Sequence, residues 1–212
     1  MKCTPPDDAG TTEKPPATAR ERILNAAFAL LQERGYSATS TREIAARARM
    51  SKRELYSEFG SKEGIYGALI ETRSTRMRQP IAEAALDDRA ALAATLHRVG
   101  LVLLQLLCDP AVISIFRLAI SGGEQSPELS RVLEKHARAP YREALGKLMA
   151  RARSAGLLTG APAELAGRYV ALLLGDLQVG LLLGMTAPPS PPQLERRVRA
   201  ALEAFLELHG QA

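Results

Sequence analysis

Apolar positions recur at helical spacing along most of the chain, and the breaks between runs fall at glycines and prolines. Ile23, Ala27, Leu30 and Leu31 form a stripe that follows Thr18 and Glu21, a capping-box pair, and stops at Gly35. Ser40 with Glu43 repeats the signal and predicts a short helix from Thr41, with Ile44, Ala45 and Ala48 as its apolar face. Ser51 with Glu54 predicts another over 52–59, where Leu55 and Phe59 face inward. Gly60 and Ser61 end it, and Ser61 caps a further helix that begins with Lys62. Helices this short do not stand alone in water, so the pair must pack on the first stripe.

After Ser61 the pattern predicts helices over 62–79, 89–107, 111–121, 128–155, 163–184 and 193–209. No run has a convincing strand period, so the expected fold class is all-α. The expected organisation is a disordered tail at 1–17, a three-helix head at 18–61 and a helical body at 62–212. The segment 163–184 has two apolar faces, Leu165, Tyr169, Leu172 and Val179 on one and Val170, Leu174, Leu177 and Leu181 on the other. Such a helix must be covered on both sides, by its own body and by a partner. The last helix has one stripe, Leu194, Val198, Ala201, Leu202, Phe205 and Leu208.

Charge adds a function to the head. Between Arg42 and Arg53 stand Arg42, Arg47, Arg49, Lys52 and Arg53 against one acid, Glu43, in a chain of net charge +5. Two short helices with a tight joint and a cluster of cations and hydroxyls describe a DNA-binding helix-turn-helix, whose second helix enters the major groove. Lys52, Arg53, Tyr56 and Ser57 fall at the start or outer face of that helix. A basic solvated face is the ordinary alternative, and basicity alone does not decide between them.

The residues Thr39-Ser40-Thr41-Arg42-Glu43-Ile44-Ala45, then Ser51-Lys52, Leu55-Tyr56, Phe59 and Ser61-Lys62-Glu63, resemble the N-terminal signature of the TetR family of transcriptional regulators. The resemblance implies a dimeric, all-helical, ligand-responsive repressor with double-stranded DNA, a small-molecule effector and a second copy of itself as partners. It also implies DNA contacts from Arg42, Lys52, Tyr56 and Lys62, within a wider candidate set of Ser40, Thr41, Arg42, Ser51, Lys52, Arg53, Tyr56 and Lys62. Three positions depart from the pattern: Arg49-Met50 replaces the usual Gly-Val of the turn, Glu54 stands where Thr or Ser is commoner, and Glu58 where His or Tyr is. Glu58 is expected to turn away from phosphate and pair with Arg53 or a neighbouring arginine. Glu54 either does the same or accepts from a cytosine amine.

Ile115-Phe116-Arg117-Leu118-Ala119-Ile120, Pro127-Glu128-Leu129 and Leu174-Gly175-Asp176-Leu177 further resemble the C-terminal half of the AefR-like subgroup. In the family the last two long helices form the dimer bundle, and the preceding ones enclose an effector pocket. Phe116, Tyr141, Met149 and Tyr169 are candidate pocket walls. Arg117 and Asp176 lie in apolar stretches where an unpaired charge is costly, so they either pair with each other or recognise ligand.

Composition narrows the alternatives. Cys3 and Cys108 give neither a disulfide framework nor a metal cluster, no apolar N-terminal segment has the form of a signal peptide, and the apolar run 169–185 is interrupted by Asp176 and Gln178. A cytoplasmic protein with no membrane partner is expected. His97, His136 and His209 form no HExxH or ExxH pair and no glycine-rich phosphate loop follows a strand, so neither a cofactor nor catalysis is expected. A helical carrier or sensor of apolar molecules, its DNA affinity lost through Glu54 and Glu58, is the alternative function.

Overall fold

The structure is a computed structural model that describes residues 17–123 and 127–211. The expected tail therefore lies, apart from Ala17, outside the described residues. Helix α1 (Ala19–Arg34) opens on a closed capping box, with the Thr18 amide donating to Glu21 at 2.8 Å and the Glu21 amide to Thr18 Oγ1. Equivalent boxes open α2 (Thr41–Ala48) at Ser40 and α3 (Lys52–Phe59) at Ser51. The joint between them turns on Arg49, at φ 54° and ψ 46°, the only non-glycine with positive φ among the described residues. A left-handed conformation there costs roughly 1–2 kcal/mol relative to glycine.

Helix α4 (Lys62–Ala82) leaves the head and runs on past the expected end at 79, carrying Pro80 inside it. Helices α5 (Arg89–Leu107) and α6 (Pro110–Gly122) follow, capped by Asp88 and Asp109. The expected single helix over 128–155 is three pieces: α7 (Glu128–Leu133), a π-helical turn at Glu134–Arg138 and α8 (Ala139–Ser154). Pro140 has no amide for the His136 carbonyl one turn back, which instead accepts from Ser74 Oγ of α4 at 3.0 Å.

The expected helix over 163–184 is also broken. It divides into α9 (Pro162–Leu174) and α10 (Leu177–Leu183), bent by 55°. Gly175 makes the break at φ 46°, where a Cβ would stand 2.8 Å from the Arg197 guanidinium. Arg197, on α11 (Pro191–His209), donates Nε to the Leu173 carbonyl at 2.6 Å and Nη2 to that of Leu174 at 2.5 Å, satisfying the last turn of α9. The bend also reorders the apolar faces. Leu165, Tyr169, Leu173, Leu177 and Leu181 are buried, while Leu172 and Val179 are exposed.

Two apolar clusters hold these helices. The body cluster is built on α5, α8, α9 and α11, with Leu96, Val99, Leu104, Met149 and Phe205 almost wholly buried. The head cluster gathers α1, α2 and α3 but continues past Ser61 into Ile65, Tyr66, Leu69 and Ile70 of α4, and takes in Ile115 and Ala119 of α6. Helix α4 thus belongs to both, since Met77 and Ile81 further along it lie in the body cluster. Arg89–Leu107 is long and apolar enough to cross a membrane by length and composition, but Leu92, Leu96, Val99, Leu103 and Leu104 spend that apolarity on the body core. Among the described residues the only β pairing is an isolated bridge between Leu158 and Gly210.

Candidate nucleic-acid interface and internal cavity

The α2–α3 surface sorts its cations into two groups. Arg47 is held in a two-pronged contact by Glu33, at 2.6 and 2.8 Å, and Glu43 is taken by Arg34 at 2.5 Å. Arg42, Arg49, Lys52 and Arg53 are exposed and make no ion pair among the described residues. Arg42 and Lys52 flank a shallow depression of about 490 Å³ floored by Ala45, Ala46 and Met50. Beside it the Tyr56 hydroxyl lies 3.1 Å from Thr41 Oγ1, with Lys52 Nζ 5.9 Å from the Tyr56 ring centre. Ser40 and Ser51 use their hydroxyl oxygens to accept the Glu43 and Glu54 amides, so both side chains are engaged as caps. Lys62 is half-buried, donating to the Ser37 carbonyl at 3.5 Å and standing 4.4 Å over the Tyr36 ring. Burial pushes its pKa below the ordinary lysine value.

Both departing carboxylates are occupied within the head. Glu54 accepts from the Ser51 amide at 2.7 Å, and the hydrogen bonds from Ser51, aided by the Arg22 charge, hold its carboxyl below the usual range. Glu58 pairs with Arg20 of α1 at 2.6 Å, not with Arg53, and the Arg20 guanidinium also lies 5.0 Å over the Phe59 ring. The arginine that answers Glu58 comes from a helix remote in sequence, which no local pattern reveals.

The body encloses a cavity of about 1020 Å³ between α4, α5, α6, α8, α9 and α10. Its wall is chiefly aliphatic, with Leu103, Leu107, Val112 and Val170 prominent, and Phe116 and Tyr141 stand on it. The other expected wall residues lie elsewhere. Tyr169 is core: its hydroxyl donates to the Leu96 carbonyl at 2.6 Å and its ring meets Phe205 edge-on at 5.2 Å. Met149 is fully buried in the same core. Arg117 and Asp176 neither pair nor line the cavity, and both are exposed rather than buried among apolar groups. Arg117 donates Nε to Leu182 O at 2.9 Å and Nη2 to Leu181 O at 2.7 Å, closing the end of α10. Gln178, read from sequence only as an interruption of an apolar run, does line the cavity.

Comparison with known proteins places this arrangement. Residues 94–211 match the profile of the AefR-like transcriptional repressor C-terminal domain, and residues 23–69 match that of the tetR family of bacterial regulatory proteins. The chain belongs to the TetR family. Its members are DNA-binding transcriptional regulators rather than enzymes. The HTH-type transcriptional repressor Rv3405c of Mycobacterium tuberculosis (strain ATCC 25618 / H37Rv) is 39% identical over 90 residues, 41% of this chain. That match spans 45%, a little under half, of the length of the curated relative. A solved TetR transcriptional regulator from Agrobacterium tumefaciens superposes with a TM-score of 0.73 at 27% identity, covering 92% of this chain and 96% of that one. The flavonoid-responsive regulator FrrA does so with 0.71 at 25% identity, covering 91% and 97%. As a TetR-family head, α1–α3 carries an unusual turn: Arg49 occupies the left-handed position where the family resemblance leads one to expect glycine.

Proposed function

We propose that this protein is a ligand-responsive negative regulator of transcription that binds a pseudo-palindromic operator as a homodimer and is released by a small molecule. The observation that carries the DNA reading is the set of exposed cations that make no ion pair among the described residues: Arg42, Lys52 and Arg53 in the first turns of α2 and α3, and Arg49 in the joint between them. On this reading 18–61 is the DNA-binding unit, Arg42, Lys52 and Tyr56 meet bases or phosphates, and Lys62 steadies a phosphate. Residues 62–212 serve effector binding and pairing. Exposed Leu172, Val179, Leu183 and Leu208 on α9, α10 and α11, with Met185 just past the end of α10, support a partner on that side. A two-fold dimer sets its two α3 helices one helical turn apart, roughly 34 Å, in successive major grooves.

Helix α4 is the physical link between ligand and operator. Ile70, Ser74 and Met77 line the cavity, while Ile65 and Tyr66 on the same helix are embedded in the head, with Tyr66 Oη donating to the Ala27 carbonyl at 3.2 Å. A ligand that moves α4 moves the head with it. A coupling of about 1–3 kcal/mol weakens operator binding roughly 5- to 150-fold. Selection of binding sites from a random duplex library tests the reading, which requires enriched two-fold sequences and a steep fall of affinity with salt. The carrier alternative requires a flat salt response. It draws no support from Glu54 and Glu58, whose carboxylates are engaged by Ser51 and Arg20.

A further inference from the structure

The buried hydroxyls of the body are engaged one after another. Tyr169 donates to Leu96 O, Ser74 to His136 O and Thr95 to Ala85 O. Tyr141 is the exception: it is 6% exposed, stands on the cavity wall, and its hydroxyl finds no hydrogen-bond partner among the described residues. A buried donor left in this state costs free energy that a suitable acceptor recovers. Burial also drives this phenol well above its ordinary pKa, so it is a neutral donor at any physiological pH. Gln178 brings a second, half-buried polar side chain to the same cavity.

Apart from Arg73, the charged residues that line the cavity are ion-paired. Arg138 and Arg142 engage Glu134, Lys147 engages Glu143 at 2.6 Å, and all three cations are well exposed to solvent. Arg73 lies 5.0 Å over the Phe28 ring of α1. A carboxylate brought to Tyr141 would lose its water at a hydroxyl on which burial acts and no charged group does, and a pure hydrocarbon would leave the hydroxyl orphaned. We infer that the cavity selects an uncharged, largely hydrocarbon molecule bearing an oxygen acceptor, and that this oxygen takes a hydrogen bond from Tyr141 Oη. The inference rests on the reading of this cavity as the effector site.

Competition for Nile red bound to the full chain tests it, with methyl decyl ketone, laurate and dodecane as competitors of matched length. The ketone should compete about tenfold more tightly than either of the others. In Tyr141→Phe that advantage should vanish, while the ligand-free variant melts no lower than the parent because the lost hydroxyl had no partner. Equal competition, a preference for laurate, a ketone advantage that survives in Tyr141→Phe, or a lowered melting temperature each overturns the proposal. If Tyr141→Phe does not fold, the last of these has occurred. Leu107→Trp separates the two levels: if filling the cavity leaves dye binding unchanged, the effector-site reading falls and the ligand class falls with it. If it abolishes dye binding and the ketone still has no advantage, only the ligand class falls.

Discussion

The hydroxyls of Thr41 and Tyr56 lie 3.1 Å apart and bridge the first turn of α2 to the middle of α3. Water competes for this contact, because Tyr56 is 43% exposed, so the bond contributes at most about 1 kcal/mol to folding. On the proposed reading, the same hydroxyl meets a phosphate or base edge beside Lys52 at an operator. Tyr56→Phe should therefore lower operator affinity by about five- to tenfold while changing the urea-unfolding free energy by less than about 1 kcal/mol. Fluorescence anisotropy and urea melts on the same preparation give both values. A loss confined to stability would make the tyrosine a brace and not a contact.

Arg42 and Lys62 should respond differently to alanine. Arg42 has no ion pair among the described residues, so its removal should leave folding almost untouched and cost about 1–3 kcal/mol of discrimination at one base position. Lys62 packs on Tyr36 and holds the Ser37 carbonyl, so Lys62→Ala should weaken all sequences alike, lower the salt slope by about one unit and also destabilise the head. Anisotropy titrations on cognate and random duplexes at several salt concentrations separate the two. Uniform losses from Arg42→Ala would remove it from the base readers.

Arg49 sets stability against charge. Replacing it with glycine should relieve the left-handed strain and stabilise the head by about 1 kcal/mol, even though glycine is the more flexible residue when unfolded. The same change removes one of the exposed cations that make no ion pair among the described residues, so the salt slope of binding to random duplex should fall by about one unit. Denaturant midpoints and salt slopes moving in these directions would identify the turn arginine as a residue held for its charge. A destabilised Arg49→Gly variant would contradict the strain argument.

The parts of the chain that were legible in sequence are those fixed by local chemistry. The capping boxes at Thr18, Ser40 and Ser51 each involve a side chain and an amide within one turn, so spacing alone locates the start of a helix. The break at Gly175 is different, because the carbonyls it frees are satisfied by Arg197 on another helix. The π-helical turn depends in the same way on Ser74, and the fate of Glu58 on Arg20. Tyr141 and Tyr169 both read as aromatics on a helical face. Only the packing gives one hydroxyl the Leu96 carbonyl and leaves the other at the cavity wall without a partner among the described residues.

The caps also predict how the head responds to acid. Hydrogen bonds from Ser40 hold the Glu43 carboxyl below its ordinary value near 4.5, and those from Ser51 do the same for Glu54. A carboxyl depressed by folding contributes stability above its unfolded pKa, and that contribution is lost as pH falls through the lower, folded value. The head should thus lose stability from about pH 4.5 downward. Glu43→Gln with Glu54→Gln keeps the capping geometry without the titration and should flatten that acid limb in melts followed by circular dichroism. An unchanged limb would assign the acid response to other groups.

Gly100 tests the body core. In an exposed helix interior, alanine is favoured over glycine by about 1 kcal/mol. Here a Cβ would stand 2.7 Å from Tyr169 Oη, 2.9 Å from Leu173 Cδ2 and 3.2 Å from Val198 Cγ1. The hydroxyl could yield only by leaving the Leu96 carbonyl, which costs about 1–3 kcal/mol, so Gly100→Ala should be destabilising overall. Gly167, exposed on α9, has nothing within 4 Å of its Cβ position, and its alanine variant should gain about 1 kcal/mol. Tyr169→Phe isolates the cause. With the hydroxyl gone, the penalty of Gly100→Ala should shrink in a double-mutant cycle measured by urea unfolding. An unchanged penalty would put the obstruction at Leu173 and Val198 instead.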